Sequence, residues 1–129
     1  QLQAVSSVLA GMRYDLMAGD DDTGKQPLRL KTLTDALPGV RAIYAVDRNG
    51  LVIDAEQKSY IGRDAHERPY FTEPRDKHDD SLVFVSPPYL SILGNYVVNI
   101  SKSMTAPDGG FAGITTAVLD QSYFEILAR

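Results

Sequence analysis

"VRAIYAVDRNGLVIDAE", residues 40–56, carries the pattern on which the fold turns. Both arms are rich in β-branched residues, and neither shows the three-and-four spacing of a helix. Asn49-Gly50 between them is the dipeptide of a two-residue hairpin turn. Residues 40–47 and 51–56 therefore read as a pair of antiparallel strands.

Downstream the strand pattern continues. "LVFVS" (82–86) reads as a third strand, closed by Pro87 and Pro88, which lack the donor a ladder needs. "YVVNISKSM" (96–104) alternates, with Tyr96, Val98, Ile100 and Met104 on one side and Asn99, Ser101 and Ser103 on the other. "PDGG" (107–110) marks a turn, and "FAGITTAVLD" (111–120) is the last strand. Asp120 is placed to cap a final helix, "QSYFEILAR".

Upstream the period changes. Leu2, Val5, Leu9, Met12 and Leu16 recur at spacings of three and four, which predicts an amphipathic helix over 2–18. "GDDDTG" (19–24) is a polar linker; counted as a calcium loop from Asp20 it places Lys31 where the closing glutamate belongs, so it reads as a solvated loop. Pro27, Leu30, Leu33 and Leu37 predict a shorter helix over 27–37, ended by Pro38-Gly39. Residues 57–81 hold turns and a short helix near "RPYF". The chain thus reads as α+β: a PAS-like five-stranded antiparallel sheet with a long N-terminal helix, a second helix and a helical excursion after strand two. The long helix covers one sheet face, the excursion the other, and a ligand pocket follows between excursion and sheet.

Composition narrows the function. The 129 residues suit one domain, 1–129, with 43% hydrophobic and 23% charged residues, as in a globular protein. A net charge of −4 without a basic stripe argues against nucleic acid as partner. The absence of cysteine excludes thiol chemistry and is compatible with an oxidising compartment. No apolar run reaches the ~20 residues of a spanning helix. The start at Gln1, within a helical pattern, reads as a piece cut from a longer chain. His66 and His78 lack metal-ligand spacing and read as exposed loop residues, and no nucleophile motif or phosphate loop is present, so no metal, cofactor or enzymatic activity is expected. Asn99-Ile100-Ser101 matches a glycosylation acceptor but lies within a strand.

The stretch that points to binding is "IGRDAHERPYF", residues 61–71. Arg68 offers a planar fork of donors that matches a carboxylate. Tyr70 and Phe71 can wall a pocket and exclude water, and Pro69 stiffens the backbone between. Equally, Arg68 could stack on a ring or pair with Asp64 or Glu67. Ser86, Tyr89 and Asp120 lie at strand ends. An aspartate facing the arginine would suit a zwitterion, whereas a capping role would leave Asp120 structural. The stripe of helix 2–18 could instead pair with its copy in a second chain, giving a dimerisation module with no small-molecule ligand.

Taken in order, "IYAVDRNGLVIDAE", "YIGRDAHERPYF", "VSPPYLSILGNYVVNISKSM" and "PDGGFAGITTAVLDQSYFEIL" resemble a Cache (PDC) sensor domain. The resemblance is greatest to the membrane-distal module of bacterial transmembrane diguanylate cyclases and sensor histidine kinases. It covers residues 28–127, the sensor core, with 1–18 matching a stalk helix. It implies a periplasmic or otherwise extracytoplasmic, non-enzymatic sensor, anchored by flanking membrane helices and joined to a cytoplasmic output domain. In related amino-acid-binding modules an Arg-x-Trp-Tyr stretch, a later Tyr and a strand-end Asp hold the ligand. Arg68, Tyr89 and Asp120 match these, while Tyr70 and Phe71 replace Trp and Tyr. Arg63 stands where a tyrosine is usual, and Ser91 where a second acid is usual. These departures move the expected ligand toward a small carboxylate as well as an amino acid.

Overall fold

The computed structural model describes residues 5–7, 9–11, 39–55, 57–91 and 94–127. Residues 5–7 and 9–11 are helical, as expected for the start of the 2–18 helix. The rest of that helix, the 19–24 linker, Lys31 and the 27–37 helix lie outside the described residues.

Among the described residues six strands form one antiparallel sheet: β1 (Val40–Asp47), β2 (Val52–Ala55), β3 (Phe84–Val85), β4 (Tyr89–Leu90), β5 (Tyr96–Thr105) and β6 (Phe111–Asp120). Their lateral order is β2-β1-β6-β5-β3, with β4 also on β5. A 3-10 turn at Lys58–Tyr60 and helix α1 (Pro69–Lys77) make up the excursion, and α2 (Gln121–Leu127) follows β6 without a break. The expected five strands become six because the third is divided. Phe84 and Val85 pair with Ser101 and Ile100, whereas Tyr89 and Leu90 pair with Val97 and Tyr96, one register step off. Pro87 and Pro88 stand at the break and donate nothing to the ladder. Leu82 and Val83 precede β3 outside any strand.

The first hairpin also differs from the two-residue turn expected at Asn49-Gly50. Asp47 N–H donates to Leu51 O at 2.8 Å and Gly50 N–H to Asp47 O at 3.0 Å, so three residues form the loop. Gly50 takes the left-handed position at φ 89°. The Asp47 carboxylate accepts from Asn49 N–H and Leu51 N–H, which favours this geometry over the shorter turn. The same pair of bonds recurs between Ala106 and Gly110, with Gly109 at φ 89°, and between Ser91 and Asn95, with Gly94 at φ 89°. All three hairpins therefore close in one way.

Side-chain alternation gives the sheet two different faces. On one, Ile43, Ala45, Val98, Ile100, Ala117 and Leu119 pack with Val5 and Leu9 of the N-terminal helical residues, and Tyr123 and Phe124 of α2 lean on the same cluster. The Thr115 hydroxyl donates to Leu9 O at 3.1 Å, tying that helix to β6. On the other, Tyr44, Val46, Val52, Ala55 and Ile114 pack with Ala65, Tyr70 and Phe71 from the excursion. Arg68 begins α1 with extended backbone, Pro69 occupies the first turn, and the helix ends on His78 in the left-handed region at φ 40°. His78 is not the exposed loop residue expected: it is half-buried, its Nε2 lies 3.1 Å from Thr105 Oγ1, and its ring meets Phe111 edge-on.

Gly113 shows how closely β1 and β6 approach at the register shift near Met104. Its φ is 124°, and a Cβ there would meet Val46 O at 2.1 Å. Gly113→Ala should destabilise the fold by about 2 kcal/mol or more, because both the backbone geometry and the space exclude a side chain. A urea-unfolding midpoint unchanged in this variant would contradict the packing described.

Candidate ligand site

Asn99 is fully buried at the centre of β5, on the excursion side. Its Nδ2 donates to Tyr44 Oη at 3.3 Å and to Thr116 Oγ1 at 3.0 Å, while its Oδ1 accepts from the Tyr89 hydroxyl. Tyr44 donates in turn to Tyr70 Oη at 3.0 Å. Ser101 and Thr116 share a contact of 2.8 Å, and Thr116 donates to Ile100 O at 3.2 Å. Asn99 and Ser101 of β5 thus form the floor under the excursion, and their side chains are met by side chains of β1, β4 and β6.

Above that floor the rings form a continuous wall. Tyr60 stacks on Tyr44 at 5.8 Å, Tyr44 meets Tyr70 edge-on at 6.3 Å, and Tyr70 stacks on Tyr89 at 6.2 Å. A guanidinium closes each end: Arg63 Cζ lies 4.2 Å from the Tyr60 ring centre and Arg68 Cζ 5.8 Å from that of Tyr89. Both side chains are exposed, and neither has a carboxylate within ion-pair distance among the described residues. Asp64 and Glu67, the partners a purely structural Arg68 would use, lie instead against His66, at 2.7 Å and 3.6 Å.

Burial raises the pKa of Tyr44 well above its ordinary value, aided by Tyr70. Burial likewise raises Tyr89, with Tyr70 adding to the effect and Arg68 opposing it. Burial also raises Tyr70, against the hydrogen bond from Tyr44 and the charges of Arg68 and Arg63. The three phenols therefore stay protonated, as hydrogen-bond donors, at neutral pH.

The expected site residues fall into three groups. Arg63, Arg68, Tyr70 and Tyr89 come together at the wall. Phe71 backs it: fully buried, it lies edge-on to Phe111 and under Arg75, so it offers a ligand no surface. Ser86, Ser91 and Asp120 serve the surrounding frame. Ser86 Oγ accepts Asn99 N–H at 2.8 Å and donates to Pro87 O at 3.1 Å. Ser91 Oγ donates to Asn95 Oδ1 at 2.8 Å, and Asn95 Nδ2 donates to Asp120 Oδ1 at 2.6 Å. Arg41 Nη1 lies 3.4 Å from the same Asp120 oxygen. Tyr44, Tyr60, Asn99 and Arg41 were not anticipated. The signal for Asn99 was present, since a polar row on the strand face assigned to the excursion implies a polar floor.

β2 is paired as far as Ala55, opposite Tyr44, and among the described residues no strand neighbours the first part of β1 on that side. The step leaves a small open recess lined by Arg41, Ala42, Ile43, Tyr44, Ala55, Gln57 and Tyr60. Among the described residues no cluster of His, Asp or Glu suited to a metal ion is found, and no helix is long and apolar enough to cross a membrane.

No family model and no curated protein matches the chain. Solved structures do. The extracellular domain of rpHK1S-Z16, assigned as a histidine kinase, superposes with a TM-score of 0.83 at 24% identity, over 98% of this chain and 53% of that one. An extracellular ligand-binding receptor from Desulfohalobium retbaense gives 0.77 at 17% identity, over 96% and 23%. The ligand-binding domain of the Campylobacter jejuni chemoreceptor Tlp3, in complex with 4-methylisoleucine, gives 0.66 at 17% identity, over 93% and 51%. The chain spans about half the length or less of these structures. Its fold is that of these extracellular and ligand-binding domains.

The tyrosine network has a pH signature. The folded state holds Tyr44, Tyr70 and Tyr89 neutral, while the unfolded chain ionises them near pH ~10. Stability is then fully present below about pH 10 and falls as pH rises beyond it, by up to about 1.4 kcal/mol per pH unit for each phenol. Urea unfolding across that range should show this fall, with a smaller slope in Tyr89→Phe; an identical slope in the variant would exclude Tyr89 from the network's titration.

Proposed function

We propose that the chain is the extracytoplasmic sensor domain of a bacterial transmembrane signalling receptor, a diguanylate cyclase or a histidine kinase, and binds a small carboxylate-bearing ligand. The observation that carries this reading is the pair of guanidiniums, Arg63 and Arg68, on one aromatic wall with no acidic partner among the described residues. Stacked arginines at an aromatic surface, with no ion pair to displace among the described residues, are prepared to accept a carboxylate. In the fold relatives, the Tlp3 domain holds the amino acid 4-methylisoleucine, which supports a ligand of this size and polarity.

In this reading Arg68 pairs with the ligand carboxylate, assisted by Arg63, and Tyr70 and Tyr89 form the walls with Phe71 behind them. Ser86 and Ser91 hold the β3–β4 segment and the β4–β5 hairpin in place, and Asp120 borders the site. Residues 28–127 act as one sensing unit, and the stalk helix over 1–18 and α2 carry the signal toward the membrane. Both contact the same apolar cluster through Val5, Leu9, Tyr123 and Phe124, so a shift of the sheet reaches both. A ligand drives such a shift only by the difference in its affinity for the two arrangements. The alternative without a small-molecule ligand, a dimerisation module seamed along helix 2–18, loses two of its seam residues, since Val5 and Leu9 are spent on the chain's own sheet.

A thermal-shift screen against amino acids, small carboxylates and amines tests the proposal. A ligand at 100 times its Kd adds ~2.7 kcal/mol, a shift of several degrees. Arg68→Ala should fold normally, because the side chain is exposed, and should lose ~2 kcal/mol or more of binding, about 30-fold. Unchanged affinity in a folded Arg68→Ala protein would remove the assignment.

A further inference from the structure

Asp120, at the end of β6, is paired with Arg41 of β1. Val40 pairs with Leu119 and Ala42 with Val118, so Arg41 is the extra residue of a β-bulge. Such a bulge re-aims a side chain, and here the Arg41 guanidinium lies 3.4 Å from Asp120 Oδ1. Asn95 donates to the same oxygen at 2.6 Å. Arg41 also lines the recess beside Tyr44 and Tyr60. The Asp120 carboxylate is thus already charge-compensated from within the chain. An ammonium group arriving there meets a neutral pair and a neighbouring guanidinium in place of a free anion. With Arg63 and Arg68 on the wall, the balance over these four side chains is positive.

We infer that Arg41, by occupying Asp120, is a specificity-determining residue that selects carboxylic acids lacking a 2-amino group over the corresponding amino acids. The inference rests on the carboxylate-binding reading of the Arg63–Arg68 wall and names the ligand class for it.

The test is calorimetric binding of matched pairs sharing one carbon skeleton: propionate and alanine, 4-methylpentanoate and leucine, succinate and aspartate, glutarate and glutamate. In the unaltered protein the acid of any pair that binds should exceed its amino acid by on the order of tenfold, the scale of one partly exposed charge contact. Arg41→Gln should narrow or reverse that ratio, and Arg41→Lys, which keeps the charge, should retain it. An amino acid that binds the unaltered protein more tightly than its acid overturns the inference while leaving the carboxylate site standing. The same holds if Arg41→Gln folds and leaves the ratio unchanged. Binding by neither member of any pair overturns the carboxylate reading, and the inference with it.

Discussion

The excursion side of the sheet depends on one buried amide. Asn99 sits where β1, β4, β5 and β6 come within reach of each other, and its side chain spends its acceptor on Tyr89 and its donors on Tyr44 and Thr116. A polar side chain in the middle of a central strand is costly unless each group is met, and a fully met network specifies one arrangement. Because Tyr44 also donates to Tyr70 in α1, the same amide fixes the excursion over the sheet. The positions of Arg63 and Arg68 are then consequences: each guanidinium rests on a ring that the network has already oriented.

Electrostatics and packing cooperate at that wall. The rings are stacked or edge-on, and their phenols are held neutral by burial. The charge at the site therefore comes from the two arginines, which are free of acidic partners among the described residues. On the opposite face the requirements are simpler. Aliphatic residues of β1, β5 and β6 meet Val5 and Leu9, and the ends of the sheet side chains are sealed from water there.

Much of this was legible in the sequence. The strands over 40–47 and 111–120 fell where expected, because a clean strand pattern bounded by turn residues leaves little choice. The turn at Asn49-Gly50 was recognised, but its length depended on the Asp47 carboxylate, a contact that dipeptide preference does not contain. The third strand was read as continuous up to its prolines. Its resumption as β4 one step off register follows from pairing with β5, a tertiary matter. For the site, Arg68, Tyr70 and Tyr89 lie near one another in sequence or next to obvious strand ends. Tyr44, Tyr60 and Arg41 join them only through sheet register and a bulge, which no local spacing announces. Phe71 looked like a wall residue because it adjoins Tyr70. On a helix, neighbours point about 100° apart, and only Tyr70 of the two joins the wall of tyrosine rings.

The divided third strand has a consequence for solubility. β3 and β4 form the outer border of the sheet beside β5, where unpaired backbone groups would invite a strand from another molecule. Pro87 and Pro88 remove two donors from that border, and the register step between the two short strands breaks its straightness. Val83, Val85 and Leu90, each exposed there, would otherwise lie along a continuous sticky edge. The two prolines thus do more than end a strand: they keep an apolar margin from serving as a template for aggregation.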